Sequence, residues 1–97
     1  MLLLKPDELK IVIEVLEKHF PKIAVRAFGS RVGGKPGRFS DLDLVVMTDQ
    51  PLELSVIGAA RDALSLSDLP FKVDLLDWSC LSDSFRGIIE SNCVVIQ

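Results

Sequence analysis

Two aspartates one residue apart begin a strongly apolar segment of this sequence. Asp41 and Asp43 open residues 41–48, and alternation along a β-strand would direct both carboxylates to one face, about 7 Å apart at their Cα atoms. Such a pair can bind one Mg²⁺ at ~2.1 Å or bridge two ions. Because aspartate is disfavoured in strands, this placement needs a reason. The alternative is a frayed strand start, in which Asp41 caps a turn and Asp43 is solvated.

Gly29 and Ser30 form a second candidate feature, directly after a short apolar segment. A glycine lets the backbone turn sharply and approach a ligand closely. The Ser30 hydroxyl and the N–H groups that follow can bind phosphate oxygens, and the Arg31 guanidinium matches phosphate geometry. These residues therefore predict a phosphate site, although the pair taken alone is also typical of a plain Gly–Ser turn.

A third acidic residue, Asp74, lies at the centre of the apolar residues 71–77. An unpaired carboxylate inside a strand would be costly, which favours a functional role. If this strand lies beside residues 41–48, Asp74 can join the metal pair and accept the proton of an attacking hydroxyl. Asp77 is the rival, but alternation turns it to the opposite face and it lies at the end of the strand. We therefore favour Asp74.

The charges segregate at Asp41. Residues 18–40 contain six basic residues and no acidic one, whereas residues 41–97 contain ten acidic and three basic residues. A site that binds a polyphosphate and a metal ion needs both signs side by side, although ordinary surface charge can segregate in the same way. The net charge of −3 argues against direct nucleic-acid binding. One histidine and two separated cysteines make zinc improbable and leave carboxylates as ligands, which favours Mg²⁺.

Helices and strands alternate around these residues. We predict helices at residues 7–19, over about fifteen residues from Pro51, and after Ser82 as N-cap. We predict strands at residues 23–28, 41–48 and 71–77, a short terminal strand at residues 93–96, and a loop at residues 31–40 with one helical turn after Ser30. This order predicts an α/β domain of the α+β type, with a small mixed sheet flanked by helices.

The length of the chain predicts a single domain over residues 1–97. Its longest apolar runs have four residues, far fewer than a membrane span needs. The start of the chain lacks the features of a secretory signal. Cys80 and Cys93 show no metal or redox spacing, so we expect a reducing cytoplasm and no membrane association. The sequence is compatible with a homo-oligomer and does not determine the oligomeric state.

Gly29–Ser30, ten residues and then Asp41-x-Asp43 make the pattern GSx10DxD. This pattern resembles the signature of the DNA polymerase β-type nucleotidyltransferase superfamily. The fuller strings at residues 28–31, 40–44 and 73–77 look like its minimal nucleotidyltransferase (MNT) branch. The resemblance covers nearly the whole chain and implies the nucleotidyltransferase fold.

The resemblance also implies a reaction and its residues. Asp41, Asp43 and Asp74 would be the catalytic and metal-binding carboxylates, and Gly29 and Ser30 would contact the triphosphate. A nucleoside monophosphate, usually AMP from ATP, would be transferred to a hydroxyl with release of pyrophosphate. Mg²⁺ would neutralise charge on the phosphates.

Larger relatives hold the acceptor on a second domain, for which the twenty residues after Asp77 are too few. We therefore expect the acceptor on a partner. Proteins of the MNT branch are typically encoded beside a helical HEPN-domain protein, and as antitoxins have been linked to AMP addition onto that toxin. Trp78 and Phe85 are candidate anchors for such a partner if they are exposed, although each is more simply explained as core. Two alternatives stay open: a module that neutralises the partner by contact without catalysis, and transfer to a small-molecule acceptor.

Overall fold

The computed structural model describes residues 2–97, and Met1 lies outside the described residues. Within these residues the chain forms three helices and four strands. They are α1 (Pro6–His19), β1 (Val25–Phe28), β2 (Leu42–Val46), α2 (Leu54–Ser65), β3 (Val73–Asp77), α3 (Asp83–Ser91) and β4 (Val94–Val95), with short 3-10 turns at Gly29–Arg31 and Trp78–Cys80. The predicted α+β class with a small mixed sheet is confirmed.

The sheet has the strand order β3-β2-β1-β4. β1 is antiparallel to both β2 and β4, whereas β2 and β3 are parallel. The parallel register places Asp43 opposite Asp74, and the antiparallel register places Phe28 opposite Asp43 on its other side. Residues that lie opposite each other project from the same face, so these three side chains form a row across the sheet.

One face of the sheet carries the main hydrophobic core. Leu42, Leu44 and Val46 point to it, as the alternation predicts, and all three are fully buried. α1 and α2 cover this face because their apolar residues recur at helical spacing. The principal contributors are Val12, Leu16, Phe20, Val25, Ala27, Ile57, Ala60 and Leu75. Burial of each large side chain contributes roughly 1.5–3 kcal/mol, so this core fixes the position of the strands.

α3 packs on the opposite face, beside the row of acidic residues. Its first turn is capped by the Ser82 hydroxyl, which accepts a hydrogen bond from the Phe85 N–H at 3.2 Å, as predicted. The Phe85 ring meets Phe28 edge-on with centroids 6.0 Å apart, and Ile89 is fully buried. Asp43 and Asp74 remain partly exposed on this face.

The helix predicted from Pro51 begins later than expected, at Leu54. The backbone N–H of Leu52 donates to the Asp77 carboxylate at 2.7 Å. This bond fixes the approach to the helix, so Glu53 rather than an earlier residue becomes the N-cap. No helix in the described part of the chain combines the length and apolar character needed to span a bilayer.

Candidate active site

Asp43 and Asp74 lie side by side on the adjacent parallel strands β2 and β3. Burial raises the pKa of Asp43, and the negative charges of Asp74 and Asp41, together with hydrogen bonding to the Asp74 carboxyl group, raise it further. Two carboxylates on directly opposite residues of neighbouring strands repel each other unless a proton or a cation lies between them. The structure therefore brings together two of the three predicted acidic residues as one interacting pair.

Gly29, at the end of β1, lies against the Asp43 carboxylate of this pair. Its φ of +82° lies in the left-handed region, which a residue with a side chain rarely adopts. A Cβ atom at this position would collide with a carboxylate oxygen of Asp43. Glycine is therefore required both by the backbone conformation and by the close approach of the bend to Asp43.

Ser30 follows within the 3-10 turn Gly29–Arg31 and is exposed. The turn is closed by a hydrogen bond from the Val32 N–H to the Gly29 carbonyl at 3.0 Å. No side-chain hydrogen bond within residues 2–97 engages the Ser30 hydroxyl. The predicted helical turn after the bend is present, and Ser30 directly follows Gly29, which approaches the Asp43 carboxylate.

Asp41 lies just before β2 and is exposed. The negative charge of Asp41 is one of the causes that raise the pKa of Asp43. Among residues 2–97, however, no three acidic, cysteine or histidine side chains are arranged to hold a metal ion. The structure thus brings Asp41 near the pair without placing it as a third ligand.

The Asp43–Asp74 pair nevertheless fits a magnesium ion in its donor chemistry. Mg²⁺ prefers oxygen ligands and is commonly bound through one or two carboxylates together with substrate phosphates and water. Two adjacent carboxylates next to a glycine bend meet that description. Asp41 would then be an additional ligand that turns inward.

Arg31 has surroundings that differ from those expected of a phosphate ligand. The residue is 5% exposed, and its guanidinium lies 4.0 Å from the centre of the Phe71 ring. It donates to four backbone carbonyl oxygens at 2.9–3.4 Å, those of Leu3, Gly37, Arg38 and Ser40. Arg31 therefore holds the loop in place, and the phosphate contact predicted from the sequence would require these bonds to break.

Asp77 also occupies a structural position. Its carboxylate accepts hydrogen bonds from the Thr48 hydroxyl, the Leu52 N–H, and both the N–H and hydroxyl of Ser79. Burial alone would raise the pKa of Asp77, but these hydrogen bonds outweigh it and lower the pKa. Its oxygens are already engaged at the junction of β3 with α2, which supports the preference for Asp74 as the third acidic site residue.

Lys72 is a neighbour of the site that the sequence did not single out. Its Nζ lies 3.3 Å from an Asp74 carboxylate oxygen. The only sequence signal for this contact is that strand alternation places Lys72 and Asp74 on one face. Lys72 partly offsets the negative charge of the pair on its β3 side.

Trp78 and Phe85 have partners within the fold. The Arg86 guanidinium lies 5.1 Å from the Trp78 ring and donates two hydrogen bonds to the Trp78 carbonyl. Phe85 contacts Phe28. Both aromatic residues are partly buried, so each packs within the fold on one side, and a role as partner anchor stays a prediction.

Sequence comparisons link this arrangement to known proteins. Residues 9–96 match the family model of the nucleotidyltransferase domain. A probable protein adenylyltransferase of Haemophilus influenzae, MntA, is 47% identical over 94 residues, which cover 97% of this chain and 82% of that protein.

Solved structures share the fold at lower identity. A toxin–antitoxin complex with AMP-PNP contains a chain that superposes with a TM-score of 0.76 at 24% identity, covering 92% of this chain and 72% of that one. A complex of the tri-AMPylated Shewanella oneidensis HEPN toxin with its MNT antitoxin gives a TM-score of 0.69 at 21% identity, covering 93% and 69%. The resemblance carried by GSx10DxD is therefore confirmed: this chain belongs to the nucleotidyltransferase domain family.

Proposed function

We propose that this chain transfers AMP from ATP, in a magnesium-dependent reaction, to a hydroxyl group on a HEPN-domain protein and thereby acts as its antitoxin. The observation that carries this proposal is the position of Asp43, which lies between the Gly29 bend and Asp74. The related MntA is named as a probable protein adenylyltransferase, and a structural neighbour is an MNT antitoxin bound to an AMPylated HEPN toxin. Both support this choice of donor and acceptor.

Each residue has a role in the proposed reaction. The Gly29 bend lets the triphosphate approach Asp43, and the Ser30 hydroxyl donates to a phosphate oxygen. Mg²⁺, when bound by Asp43 and Asp74 with Asp41, would neutralise charge on the phosphates. The acceptor oxygen forms a bond to the α-phosphorus while the bond from that phosphorus to the bridging oxygen breaks and pyrophosphate leaves. Asp74 orients the acceptor hydroxyl and takes up its proton.

Two other functions would use the same fold. The chain could neutralise a HEPN protein by contact alone, or it could modify a small molecule whose pocket a partner supplies. The intact carboxylate pair favours catalysis, because two repelling carboxylates are costly to retain in a module that only binds. We also propose a reducing cytoplasm as its compartment, because Cys80 and Cys93 are both free thiols.

The test is incubation of the protein with labelled ATP, Mg²⁺ and the protein encoded by its neighbouring gene, which the proposal expects to be the HEPN-domain acceptor. We expect label on the HEPN protein, and a loss of at least about a hundredfold in Asp41→Asn, Asp43→Asn and Asp74→Asn. Asp49→Asn is the matched control, because it makes the same change at an exposed position outside the site. It should label the partner as the wild type does.

Three results would contradict the proposal. Unlabelled HEPN protein that is still neutralised by all four variants would indicate a contact module. Label found only on a small molecule would indicate the third function. Equal labelling by Asp74→Asn and the wild type would exclude Asp74 from the reaction.

A further inference from the structure

β3 is an edge strand of the sheet, and it carries Asp74. In the order β3-β2-β1-β4, no strand of residues 2–97 pairs with its outer side. The opposite edge, β4, has only two residues and lies two strands away from Asp43. An unpaired edge offers backbone donors and acceptors to an extended polypeptide. The longer free edge is therefore the one beside the carboxylate pair.

The register shows which backbone groups of β3 face outward. The Leu42 N–H donates to the Lys72 carbonyl at 2.9 Å, so residues 72, 74 and 76 direct their backbone groups to β2. Val73 and Leu75 consequently direct theirs away from the sheet. The Leu75 carbonyl is covered by Arg61 of α2, whose guanidinium donates to it at 2.8 Å. Because Arg61 is an exposed residue, its guanidinium can exchange this hydrogen bond for bonds to water when a strand docks.

A groove of about 520 Å³ follows this edge between β3 and α2. Its wall is apolar where Leu64, Leu69 and Phe71 line it, and charged at its rim. Asp74 is part of the same wall. The groove has the size of a binding cleft, and it shares Asp74 with the candidate active site.

The β1 side and the β3 side of Asp43 differ in the substrate group that each can accommodate. On the β1 side the Gly29 bend contacts its carboxylate, and on the β3 side Asp74 lies next to it. A triphosphate bound at the bend therefore leaves the β3 side for the acceptor. A strand added beside β3 would lie about 4.8 Å from it, and every second side chain would project from the face that carries Asp74.

We propose that the acceptor protein presents its hydroxyl on an extended segment that pairs with the outer edge of β3. A serine, threonine or tyrosine of this segment lies level with Asp74, and its flanking residues occupy the groove against α2. This inference rests on the proposed transfer to a protein acceptor and specifies how that acceptor is held.

The test compares Val73→Pro with Val73→Ala. Proline removes the outward N–H of Val73 and is tolerated at the first position of an edge strand. Alanine loses similar packing but keeps the N–H, so it is the matched control. Relative to Val73→Ala, Val73→Pro should lower kcat/KM for the HEPN-domain acceptor about tenfold. Binding of ATP with Mg²⁺ should be equal in the two variants.

Amide hydrogen exchange supplies a second measurement that needs neither catalysis nor a variant at Val73. In the Asp74→Asn protein bound to the HEPN-domain protein, the Val73 amide should exchange at least about tenfold more slowly than in the free protein. This readout remains valid if Val73→Pro does not fold.

Three results are decisive. Equal transfer by the two Val73 variants, with an unprotected Val73 amide in the complex, would overturn the docking proposal and leave the proposed function intact. Protection that grows with the concentration of the isolated chain would assign the edge to a second copy, and would also overturn it. A wild-type protein that labels no protein acceptor would contradict the proposed function itself.

Discussion

Asp43 has Asp74 beside it on β3, Asp41 two residues before it in the chain, and the Gly29 bend on its β1 side. Burial and the charges of Asp74 and Asp41 raise its pKa, and the Lys72 ammonium lies beside the Asp74 carboxylate. The ionised form of Asp43 is therefore less favourable in the folded protein than in the unfolded chain. Function commonly opposes stability in this way at sites prepared to bind a cation.

Asp43→Asn should consequently raise the melting temperature in the absence of metal. A folded pKa above the unfolded value of 3.8 means that the folded state binds the proton more tightly. The destabilisation is therefore complete above the folded pKa and disappears as the pH falls toward 3.8. Thermal unfolding should show a gain of a few degrees at pH 7 that shrinks at acid pH. A lower melting temperature for Asp43→Asn than for Asp49→Asn at pH 7 would contradict this.

At the scale of elements, Arg31 connects the Gly29 bend with the loop that leads into β2. Its buried guanidinium bonds to Leu3, to loop residues 37, 38 and 40, and stacks on Phe71, which precedes β3. One side chain thus fixes the approaches to both acid-bearing strands. Sequence reasoning could identify the residue but not this role, because four of its partners are carbonyl oxygens, which carry no sequence signal.

Arg31→Met should lower the free energy of unfolding by about 3 kcal/mol, because it removes four hydrogen bonds that a buried, charged donor makes. Urea denaturation without nucleotide measures this loss. Arg38→Met, which removes an exposed cation from the same loop, should change the stability by no more than about 0.5 kcal/mol. An Arg31→Met protein with wild-type stability and weakened triphosphate binding would instead restore the phosphate-ligand prediction.

Asp77 connects the end of β3 with the start of α2, and its substitution separates this role from that of Asp74. Asp77→Asn should lower the free energy of unfolding by about 2 kcal/mol through weakened charge-assisted hydrogen bonds. Because the folded pKa is lowered, this stability is present above 3.8 and is lost as the pH falls through the folded pKa. Mn²⁺ binding should persist in Asp77→Asn and weaken in Asp74→Asn. The reverse pattern would make Asp77 the metal ligand.

The predicted elements differ from the observed ones where long-range contacts intervene. Apolar periodicity placed α1 within one residue of its observed start, because that signal is local. Proline as a helix-start signal placed the start of α2 at Pro51 instead of Leu54, because the bond between Leu52 and Asp77 joins residues 25 positions apart. Strand order and register depend on such contacts throughout, so the sequence could indicate that Asp43 and Asp74 share a site without showing them as neighbours.

In the whole molecule, one face of the sheet forms the hydrophobic core and the other face carries the candidate active site. α1 and α2 bury one face in the main core, while the other face carries the row from Phe28 through Asp43 to Asp74. The spacing in GSx10DxD was sufficient to predict the family. It was not sufficient to place Asp41, which is exposed and adjoins the pair without completing a three-ligand cluster.

The most direct test of this account is a crystal structure with Mn²⁺ and a non-hydrolysable ATP analogue, with the ion located by its anomalous scattering. We predict one ion that contacts the carboxylates of Asp43 and Asp74, with Asp41 turned toward it and the triphosphate against the bend at Gly29 and Ser30. An ion bound elsewhere, or one that Asp74 does not contact, would contradict the proposed catalytic site.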